Sequence, residues 1–186
     1  CGVWAQMGLG KTGATYSALH VLSYCEDVYP TLVIGPLRVA KNTWPDEITK
    51  WDLPTRVVSI TGTAQERLGA LARPADVYTI NYENIPWLCK HFEGGGWPFK
   101  VVVIDESTKV AGLRVTIQTS VAGKPCKPFV TGQGTQRAKL LLEMCWRHRT
   151  KVIELTGTPA TKGLEKLWGQ LFFLDYGQRL GRSFTA

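Results

Sequence analysis

Ala5-Gln6-Met7-Gly8-Leu9-Gly10-Lys11-Thr12 puts two glycines, a lysine and a threonine where a strand would hand over to a helix. Glycines at 8 and 10 bring no Cβ into the turn, so its backbone can come close to an anion. The N–H groups of such a turn, with the start of the following helix, form a concave cradle for phosphate. Lys11 is placed to reach the β- and γ-phosphates of a nucleoside triphosphate, and the Thr12 hydroxyl to ligate Mg²⁺. The general phosphate-loop pattern has Gly where this chain has Ala5. The flanks strengthen the reading: Gly2-Val3-Trp4-Ala5 can form a short strand, and Thr12 to Tyr24 carries helix-compatible residues.

Downstream, apolar runs of strand length alternate with helical segments. Thr31-Leu32-Val33-Ile34-Gly35 ends on Gly-Pro, a strand terminator. Asn42 or Thr43 is then expected to cap a helix, with Pro45 in its first turn and Asp46 and Glu47 at its positive end. Trp44, Ile48 and Trp51 recur at helical spacing and predict one apolar face. Further strands are expected over 56–60, 76–80, 100–104 and 151–155, and further helices over 64–71, from just after Asn84 to about 92, 136–148 and 164–174. From Ser107 to about Gly134 the pattern is lost, and a hairpin or long loop is expected. Its Arg114, Lys124 and Lys127 could touch a phosphate backbone. Continuous apolar strands joined by helices imply an α/β fold, a mostly parallel sheet covered by helices on both faces. Ligands of such sheets bind beyond the carboxyl ends of the strands. The phosphate loop, Asp105-Glu106 and Thr156-Gly157-Thr158 all follow strand ends, so they can meet at one edge.

The 186 residues suit one domain. A charged fraction of 20% beside 44% hydrophobic residues is an ordinary globular balance. The net charge of +7 favours a polyanionic partner. Five cysteines, odd in number and without a Cys-x-x-Cys pair, suggest neither a disulfide framework nor a zinc site. A reduced, cytoplasmic setting is expected. No apolar run approaches the ~20 residues that span a bilayer, so no membrane partner is expected. The chain opens one short strand before its phosphate loop and stops without a closing element, which suggests a piece of a longer polypeptide.

Phosphoryl transfer to water needs charge neutralised and a water positioned in line. Lys11 supplies positive charge, and Thr12 with Asp105 can hold Mg²⁺. Glu106 is placed to orient or deprotonate the attacking water.

These residues together resemble the first RecA-like lobe of superfamily 2 helicases, closest to the Swi/Snf-type ATPases, especially the short ones carried by phages and prophages. Ala5 to Thr12 is similar to the family's first motif, with Met-Gly-Leu-Gly-Lys-Thr its Swi/Snf form. Pro36-Leu37 through Asn42-Thr43-Trp44, Glu47 and Trp51 resemble the next, which touches nucleic-acid backbone. Thr61-Gly62 and Ile80-Asn81-Tyr82-Glu83 resemble two smaller contact motifs. Asp105-Glu106-Ser107-Thr108 resembles the Walker B box, and Leu155 to Pro159 the motif that couples ATP to DNA through Thr156, Gly157 and Thr158. Many relatives have Asp-Glu at Ala5-Gln6, and often His at Thr108. The resemblance implies a three-layer RecA-like P-loop fold and a DNA-dependent ATPase using ATP and Mg²⁺. Its nucleotide would lie on residues 5–12. Arg38, Lys41, Asn42, Thr61, Gly62, Asn81 and Tyr82 would hold DNA, double-stranded and without regard to sequence, through phosphates. It also implies a second RecA-like lobe in the same polypeptide that supplies arginine fingers, and slow turnover without it.

Two other classes compete. A P-loop ATPase acting on a protein partner accounts for residues 5–12 and 105–106 but leaves Leu155 to Pro159 without a role. A module that only binds nucleic acid leaves Lys11, Thr12, Asp105 and Glu106 without one.

Overall fold

The alternating runs become alternating elements in the computed structural model, which describes residues 1–121, 124–160, 163 and 165–181. In chain order these are β1 (Gly2–Trp4), α1 (Lys11–Leu22), β2 (Thr31–Gly35), α2 (Trp44–Lys50), β3 (Val57–Ile60), α3 (Ala64–Leu71) and β4 (Val77–Asn81). There follow α4 (Ile85–His91), β5 (Val101–Asp105), β6 (Arg114–Val121), β7 (Lys124–Gln133), α5 (Gln136–Arg147), β8 (Lys151–Thr156) and α6 (Glu165–Asp175). The expected start of the last helix at Leu164, the side chain of Lys127 and the tail at Ser183 to Ala186 lie outside the described residues.

Among the described residues, six strands form one sheet in the order β1-β8-β5-β2-β4-β3. Every pairing in it is parallel. The central strands are the β-branched runs: β5 carries three consecutive valines and is buried from Val101 to Ile104. Parallel strands buried on both faces need no polar alternation, and alternate residues feed opposite layers. Val33, Val101, Val103 and Leu155 pack with Tyr16 and Leu19 of α1 and Trp44 of α2. Leu32, Ile34, Val102 and Ile104 pack on the other side with Leu88, Leu141, Leu142, Phe172 and Phe173. Each fully buried side chain of this size contributes about 1.5–3 kcal/mol of transfer free energy. The result is the three-layer RecA-like α/β architecture, with α1 and α2 on one face and α3 to α6 on the other.

Two local expectations are corrected. Neither Asn42 nor Thr43 caps a helix: residues 39–43 form a π-helical turn, and Thr43 has helical dihedrals and no capping side-chain bond. The hydroxyls of Ser59 and Thr79 both donate to the Ala40 carbonyl in that turn, long-range partners that satisfy a distorted ladder. Trp51 does not complete an apolar face. It is 53% exposed, lies over Gly13 of α1 and donates its indole N–H to Glu47. The segment expected as a hairpin or loop is a hairpin, β6 paired antiparallel with β7.

Candidate functional site

Because all six sheet strands are parallel, their carboxyl ends share one rim, and the strand order divides that rim in two. Above β1, β8 and β5 lie the phosphate loop, the Thr156 turn and Asp105-Glu106. Above β2, β4 and β3 lie Arg38, Lys41 and Asn42, then Asn81 and Tyr82, then Thr61 and Gly62.

On the first half, Gly8 and Gly10 hold φ of 82° and 69°, the left-handed region that side chains with a Cβ avoid. A Cβ at either would meet nothing within 4 Å, so conformation rather than crowding calls for glycine there. Lys11 opens α1 and donates its ammonium to the carbonyls of Ala5 (2.7 Å) and Gln6 (2.9 Å), bracing the loop from within. Ala5 N–H donates to the Thr156 carbonyl at 3.1 Å. A Cβ built on Gly157 would sit 3.4 Å from Ala5 O and Met7 N, which keeps that turn against the phosphate loop. A cleft of about 390 Å³ joins them, lined by Gly8, Gly10, Lys11, Thr12, Asp105, Glu106, Thr156 and Gly157. The far wall is Val39, Thr43, Glu47 and Lys50.

Asp105 ends β5 and accepts the Trp44 indole N–H at 3.0 Å. Burial raises its carboxyl above the usual aspartate range, and the Trp44 bond, the Glu106 backbone and the charge of Lys11 oppose that rise. Glu106 follows at φ 58°, ψ 54°, a left-handed backbone that costs a residue with a Cβ of order 1–3 kcal/mol. The Tyr82 hydroxyl donates to the carbonyls of Asp105 and Glu106 and braces this turn from behind. Left-handed glycines open onto a basic residue and a helix start, and two carboxylates face them. That donor set fits a nucleoside triphosphate with a divalent cation.

On the second half, Arg38, Lys41 and Asn42 are exposed. The Gly62 carbonyl accepts from Arg67, and Thr63 with Glu66 closes a reciprocal cap on α3. Asn81 and Tyr82 face inward instead. Asn81 donates to Glu83 and accepts from Asn84, and Tyr82 is 2% exposed beneath the guanidinium of Arg137. The structure thus brings Met7, Gly8, Gly10, Lys11, Thr12, Asp105 and Glu106 of the residues expected at the nucleotide to one cleft, which Ala5, Gln6 and Leu9 do not line. The expected nucleic-acid residues divide into a group at the surface and the buried pair Asn81 and Tyr82. Of the two groups that hold Asp105-Glu106, the Trp44 indole is not among the expected site residues, and the Tyr82 hydroxyl, expected at nucleic acid, turns instead to this backbone. The available hint was that a buried Trp N–H or Tyr O–H needs a partner.

The SNF2-related domain profile matches residues 4–122. Protein p41 of Acyrthosiphon pisum secondary endosymbiont phage 1 is 40% identical over 99% of this chain and 37% of its own length. The ISWI chromatin-remodeling complex ATPase ISW1 of Saccharomyces cerevisiae is 29% identical over 91% of this chain and 13% of its own. This chain therefore spans well under half of each of these relatives. Among solved structures, the Sulfolobus solfataricus SWI2/SNF2 ATPase core in complex with dsDNA superposes with a TM-score of 0.68 at 23% identity. The match covers 95% of this chain and 31% of that one. With the profile covering most of its length, and with a RecA-like sheet whose phosphate loop shares a cleft with its acidic pair, the chain belongs to the SNF2-related family as a Swi/Snf-like N-terminal lobe.

Proposed function

We propose that this chain is the ATP-binding lobe of a DNA-dependent ATPase that moves on or remodels duplex DNA inside the cell. The carrying observation is the single cleft shared by the left-handed glycine loop, Lys11, Thr12 and the Asp105-Glu106 turn. ATP lies on residues 5–12, with loop N–H groups on its phosphates, and Lys11 exchanges the Ala5 and Gln6 carbonyls for phosphate oxygens. Thr12 Oγ1 and the Asp105 carboxylate would hold Mg²⁺, which would neutralise phosphate charge when bound. Glu106 orients the attacking water and receives its proton. The Thr156-Gly157-Thr158 turn, pressed against the loop, reports nucleotide state to the DNA-facing rim.

Duplex DNA is supported by the exposed Arg38, Lys41 and Asn42 beyond β2, by the net charge of +7 and by the dsDNA in the Sulfolobus complex. Those side chains, with the Thr61-Gly62 turn, contact phosphates and read no base. Asn81 and Tyr82 act from beneath them: Tyr82 ties the DNA half of the rim to the backbone of Asp105 and Glu106. A second RecA-like lobe of the same polypeptide closes the cleft.

The test is ATP hydrolysis by the full-length protein with and without duplex DNA at low salt. Stimulation by DNA, lost with Lys11→Ala, is the expected result. Absence of stimulation by any nucleic acid removes the DNA-dependent reading.

A further inference from the structure

Helix α6 is apolar where it meets the sheet, except at one position. Gln170 is fully buried between the buried Trp168 and Phe172, where burying an amide costs free energy unless its groups are paired. Its pairs reach two different turns of the cleft. Gln170 Oε1 accepts the Ser107 hydroxyl at 2.9 Å, and Nε2 donates to the Pro159 carbonyl at 2.6 Å and to the Lys166 carbonyl at 3.4 Å. The amide orientation is forced, since the Pro159 carbonyl can only accept.

Ser107 is itself fully buried and directly follows the left-handed Glu106. Pro159 closes the turn whose Gly157 abuts the phosphate loop and whose Thr158 N–H is held by Thr156 Oγ1 at 3.1 Å. The helix carrying Gln170 cannot slide between them. A Cβ on the adjacent Gly169 would stand 2.3 Å from the Ala111 carbonyl, so α6 is seated directly on backbone that follows the acidic turn.

We propose that Gln170 is a positioning residue that fixes the Asp105-Glu106 turn relative to the Thr156–Pro159 turn, so that a shift of either moves the other. The inference rests on the DNA-stimulated ATPase reading and names the link that carries the stimulation. A glutamine that only docked α6 would need one partner on one element. This one spends its acceptor and its strongest donor on two turns that line one cleft.

The experiment measures the ratio of DNA-stimulated to basal ATPase, and the KM for ATP, in the full-length protein and its variants. Gln170→Met keeps the side-chain length and removes the bonds. It is expected to lower the ratio by at least about fivefold, the low end of coupling between linked sites, with the KM within about twofold. Gln170→Glu, whose buried neutral carboxyl accepts from Ser107 and donates to Pro159, retains most of the ratio. Ser107→Ala leaves α6 intact, lowers the ratio, and makes Gln170→Met add little to it. A Met variant with the wild-type ratio, or Met and Glu variants that fall equally, overturns the role of Gln170 alone. A wild-type protein that DNA does not stimulate overturns the functional reading and this inference with it.

Discussion

Glu154 lies on β8 with a fully buried side chain, and neither carboxylate oxygen has a hydrogen-bond partner among the described residues. Burial pushes its carboxyl well above the usual glutamate range, because ionisation there is opposed by lost hydration. A carboxyl whose folded-state pKa is raised stabilises the fold below its unfolded value, near pH 4.3, and that stability is lost as pH rises through the folded pKa. Glu154→Gln keeps the shape and cannot ionise. The variant is expected to melt above wild type at about pH 8, with the gap closing towards about pH 5. Each kcal/mol of gain appears as about 2–4 °C in a chain of this size. Thermal unfolding followed by circular dichroism at several pH values reads this out, and a gap that does not depend on pH contradicts it. Asp105 shares the raised direction from the same cause, but its Trp44 partner and nearby Lys11 oppose the rise. Burial is thus common to both carboxyls, and geometry decides which is available to a cation.

At the scale of elements, α6 and its seat on the acidic turn give the sharpest contrast between local preference and packing. Gly169 lies inside a helix, where Ala would gain about 1 kcal/mol by propensity. Its Cβ would meet the Ala111 carbonyl at 2.3 Å and that residue's carbonyl carbon at 3.0 Å, backbone atoms with nowhere to go. Overpacking of this kind costs about 1–3 kcal/mol, so Gly169→Ala is expected to destabilise the protein despite the better helix former. Denaturant unfolding measures the sign; a stabilised variant would mean that α6 sits farther from the turn. Such close approaches explain what the sequence could not show. The strands were legible because β-branched runs such as Lys100 to Ile104 have few other uses, and the phosphate loop because its glycines and lysine are adjacent. The π-helical turn at 39–43 was not legible, since it depends on hydroxyls of Ser59 and Thr79 brought in from other strands. Trp51 was misplaced because helical spacing says nothing of how close α1 and α2 lie. Tyr82 is legible as part of a contact motif and Gln170 only as a residue type. Their consequence lies in partners 23 and 63 positions away in sequence.

Over the whole molecule, the charge around the cleft sets what the chain can do by itself. The described ionisable groups lining it are Lys11 and Lys50 against Glu47, Asp105 and Glu106. Lys50 is already engaged by Glu47 at 3.1 Å, which leaves Lys11 as the lining cation that the proposed function assigns to the phosphates. Magnesium, which Thr12 and Asp105 would hold on the proposed reading, would add to it, yet the charge that spreads over the transferred group in the transition state would need a further donor opposite Lys11. On the proposed reading, the second RecA-like lobe would supply that donor. A cation supplied in this way is worth roughly 10³–10⁵ in rate in related phosphoryl transfers. On the proposed reading, binding would depend on the loop, Lys11 and Thr12, and hydrolysis also on a cation supplied by the second lobe. The isolated chain is therefore expected to bind ATP–Mg²⁺ measurably by fluorescence titration, with binding lost in Lys11→Ala. Its turnover should lie several orders of magnitude below that of the full-length protein on duplex DNA, and DNA should change it little. Rapid, DNA-stimulated turnover by the folded isolated chain would show that the missing charge comes from within this lobe, and Lys50, released from Glu47, would be the first side chain to substitute.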